Sequence, residues 1–338
     1  MPRVTRSASR SKAVKAPAPP AQGPRDLLGL QGRSADEVRD LLAAARDLRH
    51  AGVRGDELRG RLVANLFFED STRTRVSFSV AAKRLGAVVV DLLGSSSSVN
   101  KGETLIDTAR NVEAMGVDAL VVRARQAGAA AMIADAVTPP VLNAGDGRHE
   151  HPTQGLLDLF TLAEAHDRLS DFDLSGLTIA IVGDVASSRV GRSLIAGAAA
   201  LGARAVCVGP AGMVHAGLAT LGASVEHALD DVLTSADAIV MLRIQFERQG
   251  EGKTPGPAAA EAPRGSPIAS VREYREGYAL TAAREAKMKP GAVVLHPGPI
   301  NRGIELDASV ADGPRSRVLR QVANGVWVRM AALRWCLS

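Results

Sequence analysis

Short apolar runs alternate with amphipathic segments along most of this chain. Ser34-Ala35-Asp36-Glu37 has the serine-to-glutamate spacing of a capping box and predicts a helix to about His50. Leu41, Leu42, Ala45 and Leu48 fall on one face of it. Arg61–Phe68 predicts a strand, Ser71–Leu85 a helix, Ala87–Leu93 a second strand, Thr104–Met115 a helix and Ala119–Val122 a third strand. Val141-Leu142-Asn143 predicts a fourth, which runs into a glycine-rich loop. Pro152 suits the first turn of a helix and opens one from His151 to about Ala165, the expected bridge between two halves. The alternation then resumes with a strand at Thr178–Gly183, a helix at Ser188–Leu201, and strands at Arg204–Val208, Ala238–Met241 and Ala292–Leu295. A closing helix spans about Leu319 to Leu337, with Val322, Val326, Met330 and Leu333 expected to face the core.

Strands alternating with helices predict an α/β protein: two doubly wound parallel-sheet domains joined by interdomain helices, with a disordered N-terminal tail. The 338 residues suffice for two cores, and aromatics are only 3% of them, so those cores must be mainly Leu, Val, Ile and Ala. No run approaches the ~18 apolar residues of a membrane span, and no apolar segment near the N-terminus suits a secretory signal. Cys207 and Cys336 stand alone, which fits a reduced, cytoplasmic setting.

The net charge of +5 lies in the tail. Residues 1–25 hold six basic groups (Arg3, Arg6, Arg10, Lys12, Lys15, Arg25) and no acidic one; removing those six from the 41 basic residues leaves 35 against 36 acidic ones. A Ser-, Ala-, Pro- and Arg-rich tail without apolar periodicity cannot offset its ordering entropy, and disorder is expected. An organelle-targeting peptide is the alternative. A nucleic-acid arm is disfavoured because no aromatic accompanies the basic residues. Gly250–Pro267, rich in Gly, Pro and Ala, is expected to be a mobile surface loop.

The densest chemical signal is Phe67-Phe68-Glu69-Asp70-Ser71-Thr72-Arg73-Thr74-Arg75 at a strand-to-helix junction. A helix N-terminus attracts anions; Ser71, Thr72 and Thr74 add hydroxyl donors and Arg73 a fork matched to phosphate oxygens. A merely capped, solvated helix would need one hydroxyl, not three interleaved with two arginines. No GxxxxGK[ST] loop and no GxGxxG fingerprint occurs. Further on, Pro152 should hold His151 outside its helix and free to face a ligand. His149, Glu150 and His151 are adjacent and cannot easily converge on one ion, so no metal is expected. A neutral histidine donating to a carbonyl oxygen suits the position better.

Ser71-Thr72-Arg73-Thr74-Arg75 and His151-Pro152-Thr153-Gln154 resemble the two signature motifs of the aspartate and ornithine carbamoyltransferase family. The resemblance runs from about Leu27 to the C-terminus. It implies a carbamoyl phosphate-binding domain over 26–151, completed by the C-terminal helix 319–338, an amino-acid-binding domain over 152–318, and no cofactor. By the same resemblance Ser71, Thr72, Arg73 and Thr74 hold the phosphate, with Arg123 closing on it. Thr74, Arg123 and His151 polarise the carbonyl oxygen, and Gln154 meets the carbamoyl NH2 together with backbone carbonyls near Gly298 and Pro299.

The amine substrate is assigned by other residues. Ser95–Thr104 resembles a loop that the aspartate branch lends to a neighbouring subunit, supplying Ser97 and Lys101 to the adjacent site. Arg189, Arg243 and Gln245 match positions that bind the two carboxylates of L-aspartate, which needs cations where ornithine's amine would need an acidic partner. The ornithine branch's Asp-x-x-x-Ser-Met-Gly and His-Cys-Leu-Pro segments are missing, the latter position reading His296-Pro297-Gly298-Pro299. The expectation is therefore transfer to L-aspartate in de novo pyrimidine biosynthesis by a homotrimer with shared sites, with a regulatory chain or a dihydroorotase as possible further partners and neither nucleic acid nor membrane involved. The alternatives are another carbamoyltransferase of the ornithine type and a non-catalytic assembly subunit. Three departures stand out: Asp70 beside the phosphate motif, expected to point away and cap the helix; the long Gly250–Pro267 segment; and Gly298 in place of a bulkier residue.

Overall fold

The computed structural model describes residues 25–93, 103–244, 268 and 270–338. The tail up to residue 24, Gly250–Pro267, Ser97, Lys101 and Gln245 lie outside the described residues. The first half runs α1 (Ala35–Ala51), β1 (Leu62–Phe67), α2 (Thr72–Arg84), β2 (Val88–Leu93), α3 (Leu105–Ala114), β3 (Ala119–Ala124), α4 (Ala129–Ala134) and β4 (Val141–Asp146). The long helix α5 (Pro152–Ala165) follows. The second half runs β5 (Thr178–Val182), α6 (Arg189–Ala200), β6 (Arg204–Val208), β7 (Ala223–Glu226), β8 (Ala238–Met241), α7 (Val271–Tyr278), α8 (Ala282–Glu285), β9 (Val293–Leu295), α9 (Ala308–Ala311) and α10 (Val318–Leu337).

Both sheets are parallel throughout, ordered β2-β1-β3-β4 and β7-β6-β5-β8-β9. The capping box forms as expected: the Ser34 hydroxyl accepts from the Glu37 N–H while the Glu37 carboxylate accepts from the Ser34 N–H. The Ser34 N–H bond holds the Glu37 carboxyl below the usual carboxylate range. Every predicted strand and helix is present, with ends within about two residues of expectation except at β4, which runs three residues beyond Asn143 to Asp146. The unpredicted elements are short. The six residues of α4 and four of β7 give too little length for a period to show.

One apolar cluster runs through both halves, joining Leu42 of α1, Phe78 of α2, Phe160 of α5, Leu194 of α6, Val240 of β8 and Met330 of α10. Separate clusters fill the far face of each sheet. All of α5 from Pro152 to Ala163 is buried, because α6 packs on one side of it and α10 on another. Close approach needs small residues: a Cβ on Gly155 would meet Ser193 Cβ at 3.0 Å, and one on Gly197 would meet Leu159 Cδ1 at 2.5 Å.

The apolar stripe expected on α10 is only partly correct. Met330 and Leu333 are fully buried, but Val322 is 52% exposed. At that end Gln321 and Asn324 face inward, where they donate to Asp158 and Glu164 of α5. A polar network replaces apolar contact there, so hydropathy alone points to the wrong face. Arg49, Arg320 and Asn324 also bond Glu164, and against the opposing effect of burial they hold its carboxyl at about 2.

Candidate active site

A doubly wound sheet opens a crevice where neighbouring strands lead off in opposite directions. In the first sheet that point lies between β1 and β3, in the second between β5 and β8. The chain leaves β1 into Glu69-Asp70-Ser71 and α2, and Arg123 stands at the end of β3. It leaves β5 toward Arg189 at the start of α6, and β8 toward Arg243. The two crevices face each other, since Glu69 of one reaches Arg189 of the other.

The N-terminus of α2 is left available to an anion. Ser71 is its N-cap but makes no side-chain cap bond, and the first turn holds no acidic residue. This corrects the expectation for Asp70, which is exposed and does not cap the helix. Thr74 is buried on the inner side of the first turn, while Thr72 and Arg73 keep exposed surface. Although Arg73 is exposed, surrounding protein and the positive charge of Arg243 disfavour its cationic form. Two cations facing each other across a cleft favour an anion between them. Gly298, at φ 67, closes on Arg73 so tightly that a Cβ would lie 3.2 Å from Cζ. Pro299 follows it through a cis bond.

Glu69 bridges the halves. Its Oε2 accepts from Arg189 Nη1 at 2.9 Å and its Oε1 from Arg189 Nη2 at 2.9 Å, with Arg123 Nη2 at 3.3 Å from Oε1. Arg123 also donates to the Ala144 carbonyl at 3.0 Å. Between the two guanidiniums lies Gly145, at φ 113; a Cβ there would sit 3.0 Å from both Arg123 Nη1 and Arg189 Nε. Neither Glu69 nor Gly145 was singled out from sequence, although Glu69 lies inside the quoted motif and Gly145 in the noted glycine-rich loop.

His151 is the N-cap of α5 and precedes Pro152, as the proline predicts. It is buried, its N–H donates to Ser193 Oγ at 2.9 Å, and its Nδ1 has no partner among the described residues. Burial, then the charges of Arg123, Arg329 and Arg189, push its pKa well below the ordinary histidine value, so the ring is neutral. Ser193 Oγ donates to Glu150 Oε2 at 2.7 Å, and Glu150 also accepts from the Leu30 and Gln31 N–H groups. This ties His151 to α6. His149 points elsewhere, 3.1 Å from Asp146, and no group of three His, Cys, Asp or Glu has metal-holding geometry among the described residues.

One helical turn beyond His151, Gln154 donates through Nε2 to Asp158 Oδ1 at 2.9 Å. Gln321 donates to the same oxygen at 2.7 Å and accepts from the His296 N–H at 2.9 Å. His296 Nδ1 accepts from the Gly298 N–H at 2.8 Å, and its Nε2 lies 3.1 Å from Glu305 Oε1. Glu305 accepts from the Asn301 N–H at 2.6 Å, and Asn301 Oδ1 accepts from Arg243 Nε at 3.3 Å. A polar chain thus links Gln154 to Arg243. Of the residues expected in the site, the structure brings Arg123 and Arg189 together on Glu69, and Gly298 against Arg73 within reach of the Arg243 charge. Ser71, Thr72 and Thr74 flank Arg73 at the start of α2, His151 lies within reach of the Arg123 and Arg189 charges, Pro299 follows Gly298, and Gln154 joins the polar chain through Asp158.

Residues 25–164 match the carbamoyl-P binding domain of the aspartate/ornithine carbamoyltransferases, and residues 175–336 match their Asp/Orn binding domain. The chain belongs to the aspartate/ornithine carbamoyltransferase family. Among family members, the aspartate carbamoyltransferase catalytic subunit of Myxococcus xanthus is 51% identical over 315 residues, covering 93% of this chain and 100% of that one. The aspartate transcarbamoylase of Trypanosoma cruzi, solved with carbamoyl aspartate and phosphate, superposes with a TM-score of 0.78 at 30% identity, covering 97% of this chain and 100% of that one. The ornithine carbamoyltransferase of Thermus thermophilus gives 0.79 at 28% identity, covering 94% and 100%. The backbone of the carbamoyltransferase fold therefore does not separate the two branches.

Proposed function

We infer that this chain is an aspartate carbamoyltransferase: it transfers the carbamoyl group of carbamoyl phosphate to the amino group of L-aspartate, giving N-carbamoyl-L-aspartate and phosphate in de novo pyrimidine biosynthesis. The observation that carries the reading is the pair of opposed crevices lined by Arg73, Arg123, Arg189 and Arg243, with the Glu69 carboxylate seated in the Arg189 fork. Carbamoyl phosphate and a dicarboxylate together bring several negative charges, and such cations stabilise them. The 51% identity to a catalytic subunit of that name points the same way.

In this reading Ser71, Thr72, Arg73 and Thr74 hold the phosphate at the α2 N-terminus, with Arg123 beside them. Thr74, Arg123 and the neutral His151 donate to the carbonyl oxygen as negative charge builds on it. Gln154 and the carbonyls near Gly298 and Pro299 take the carbamoyl NH2. Arg189, Arg243 and Gln245 orient aspartate. The amine attacks the carbonyl carbon, the carbon–oxygen bond to phosphate breaks, and the amine's proton passes to the departing phosphate. No covalent enzyme intermediate is needed; positioning and charge stabilisation suffice. The 26–151 and 152–318 regions act as the carbamoyl phosphate and aspartate domains, with 319–338 completing the first.

We also assign a homotrimer, in which Ser97 and Lys101 enter the neighbouring site. The segment bearing them follows β2, an outer strand of its sheet, whose Val88 and Val90 expose apolar surface of the kind subunits cover. The setting is cytoplasmic, and a regulatory chain or dihydroorotase is the partner to seek. Among the described residues no helix is long and apolar enough to cross a membrane.

The purified chain, assayed with carbamoyl phosphate and a panel of amino acids, should turn over L-aspartate. Turnover confined to ornithine would overturn the assignment. Lys101→Ala and Arg243→Ala subunits, each inactive alone, should regain activity in hybrid trimers; no recovery on reassembly would refute the shared site.

A further inference from the structure

The mechanism above makes no use of Asp158, although its carboxylate is completely buried. Its Oδ1 receives two amide donors, Gln154 Nε2 at 2.9 Å and Gln321 Nε2 at 2.7 Å, and its Oδ2 has no partner among the described residues. Nearby Arg329, also buried, donates instead to Ser77 Oγ at 2.8 Å. A carboxylate in such a place costs desolvation that apolar packing would avoid. Burial pushes its pKa up to about 7, although the two amides and Arg329 favour the charged form.

Both amide Nε2 groups converge on Oδ1, which accepts from them whether or not Oδ2 carries a proton, so each glutamine turns its NH2 toward Asp158 and its oxygen away. For Gln321 the outward oxygen meets the His296 N–H at 2.9 Å, and His296 in turn holds the Gly298 N–H. For Gln154 the outward group is a carbonyl oxygen, an acceptor suited to an amino group and unsuited to a carbonyl. One buried oxygen thereby sets the polarity of Gln154.

We propose that Asp158 is a positioning residue for carbamoyl transfer: by accepting from Gln154 through its one bonded oxygen, it presents the Gln154 carbonyl oxygen to the carbamoyl NH2. This rests on the reading that Gln154 meets the carbamoyl group. The role concerns the carbamoyl end, so it should leave recognition of the phosphate end largely unchanged.

The test is a double-mutant cycle on the full chain, with aspartate saturating and carbamoyl phosphate varied. Asp158→Ala and Gln154→Ala are each expected to raise KM for carbamoyl phosphate about tenfold, and the double mutant to be no more than about twofold worse than Gln154→Ala. Inhibition by inorganic phosphate should shift by less than about threefold in Asp158→Ala, and Asp158→Asn, which keeps an acceptor oxygen, should recover most of the loss. If Asp158→Ala does not fold, Asp158→Ser takes its place in the cycle. Multiplying effects in the double mutant, a parallel loss of phosphate inhibition, or no recovery in Asp158→Asn would each overturn the proposal. Absence of aspartate turnover in the unmutated enzyme would instead count against the functional reading beneath it.

Discussion

Replacing Glu69 with Gln tests the bridge across the cleft. In the structure this carboxylate makes two 2.9 Å bonds to Arg189 and one of 3.3 Å to Arg123. The side chains of Arg189, Arg123 and Glu69 are 6%, 11% and 15% exposed, so the cluster is nearly but not wholly dry. Removing one member of a fully buried ion pair costs about 3–5 kcal/mol, mostly from the charge left behind. Residual exposure and the oxygen that Gln retains reduce this, and Glu69→Gln is expected to lose roughly 2 kcal/mol of stability. Urea denaturation of variant and wild type, followed by two probes to check for a single transition, measures the loss. Adding phosphate with succinate supplies negative charge to the same guanidiniums, so ligand should stabilise the variant more than the wild type. A variant within about 0.5 kcal/mol of wild type, with an equal gain from ligand, would refute the argument that Glu69 compensates these cations.

Gly145→Ala forces a φ of 113 on an alanine and places its Cβ 3.0 Å from both Arg123 Nη1 and Arg189 Nε. It should cost about 1–3 kcal/mol of stability and raise KM for both substrates, measured by denaturation and steady-state kinetics; unchanged kinetics would show that the guanidiniums need not stay put. His151 is held neutral by burial and by Arg123, Arg329 and Arg189, so its NMR signals should remain those of a neutral ring down to pH 6, and a ring titrating near 6.5 would contradict this. For Asp158 the folded pKa of about 7 lies above the ordinary carboxylate value, so its contribution is fully present below about pH 4 and is lost as pH rises to 7. That loss is worth roughly 4 kcal/mol, and Asp158→Asn should flatten this part of the stability curve; an unaltered curve would place the titration elsewhere.

Local chemistry determined much of this protein directly. The Ser34–Glu37 box, Pro152 at a helix start, and the alternation of apolar strands with amphipathic helices act over a few residues, so they are legible in sequence and recur in the fold. The place of Ser71, Thr72, Arg73 and Thr74 at the start of α2 was legible for the same reason, since a strand-to-helix junction is written in consecutive residues. The tertiary structure decided what depends on residues far apart in the chain meeting. It set Glu69 against Arg189, 120 positions away, and packed Gly145 between two guanidiniums. It also turned Gln321 and Asn324 inward on α10, leaving Val322 exposed, because Asp158 and Glu164 across the helix pair required donors. A hydropathy pattern records what each side chain prefers in isolation. The inward face of α10 was set by which partners packing places beside it, and a buried carboxylate outweighs the apolar preference of one valine.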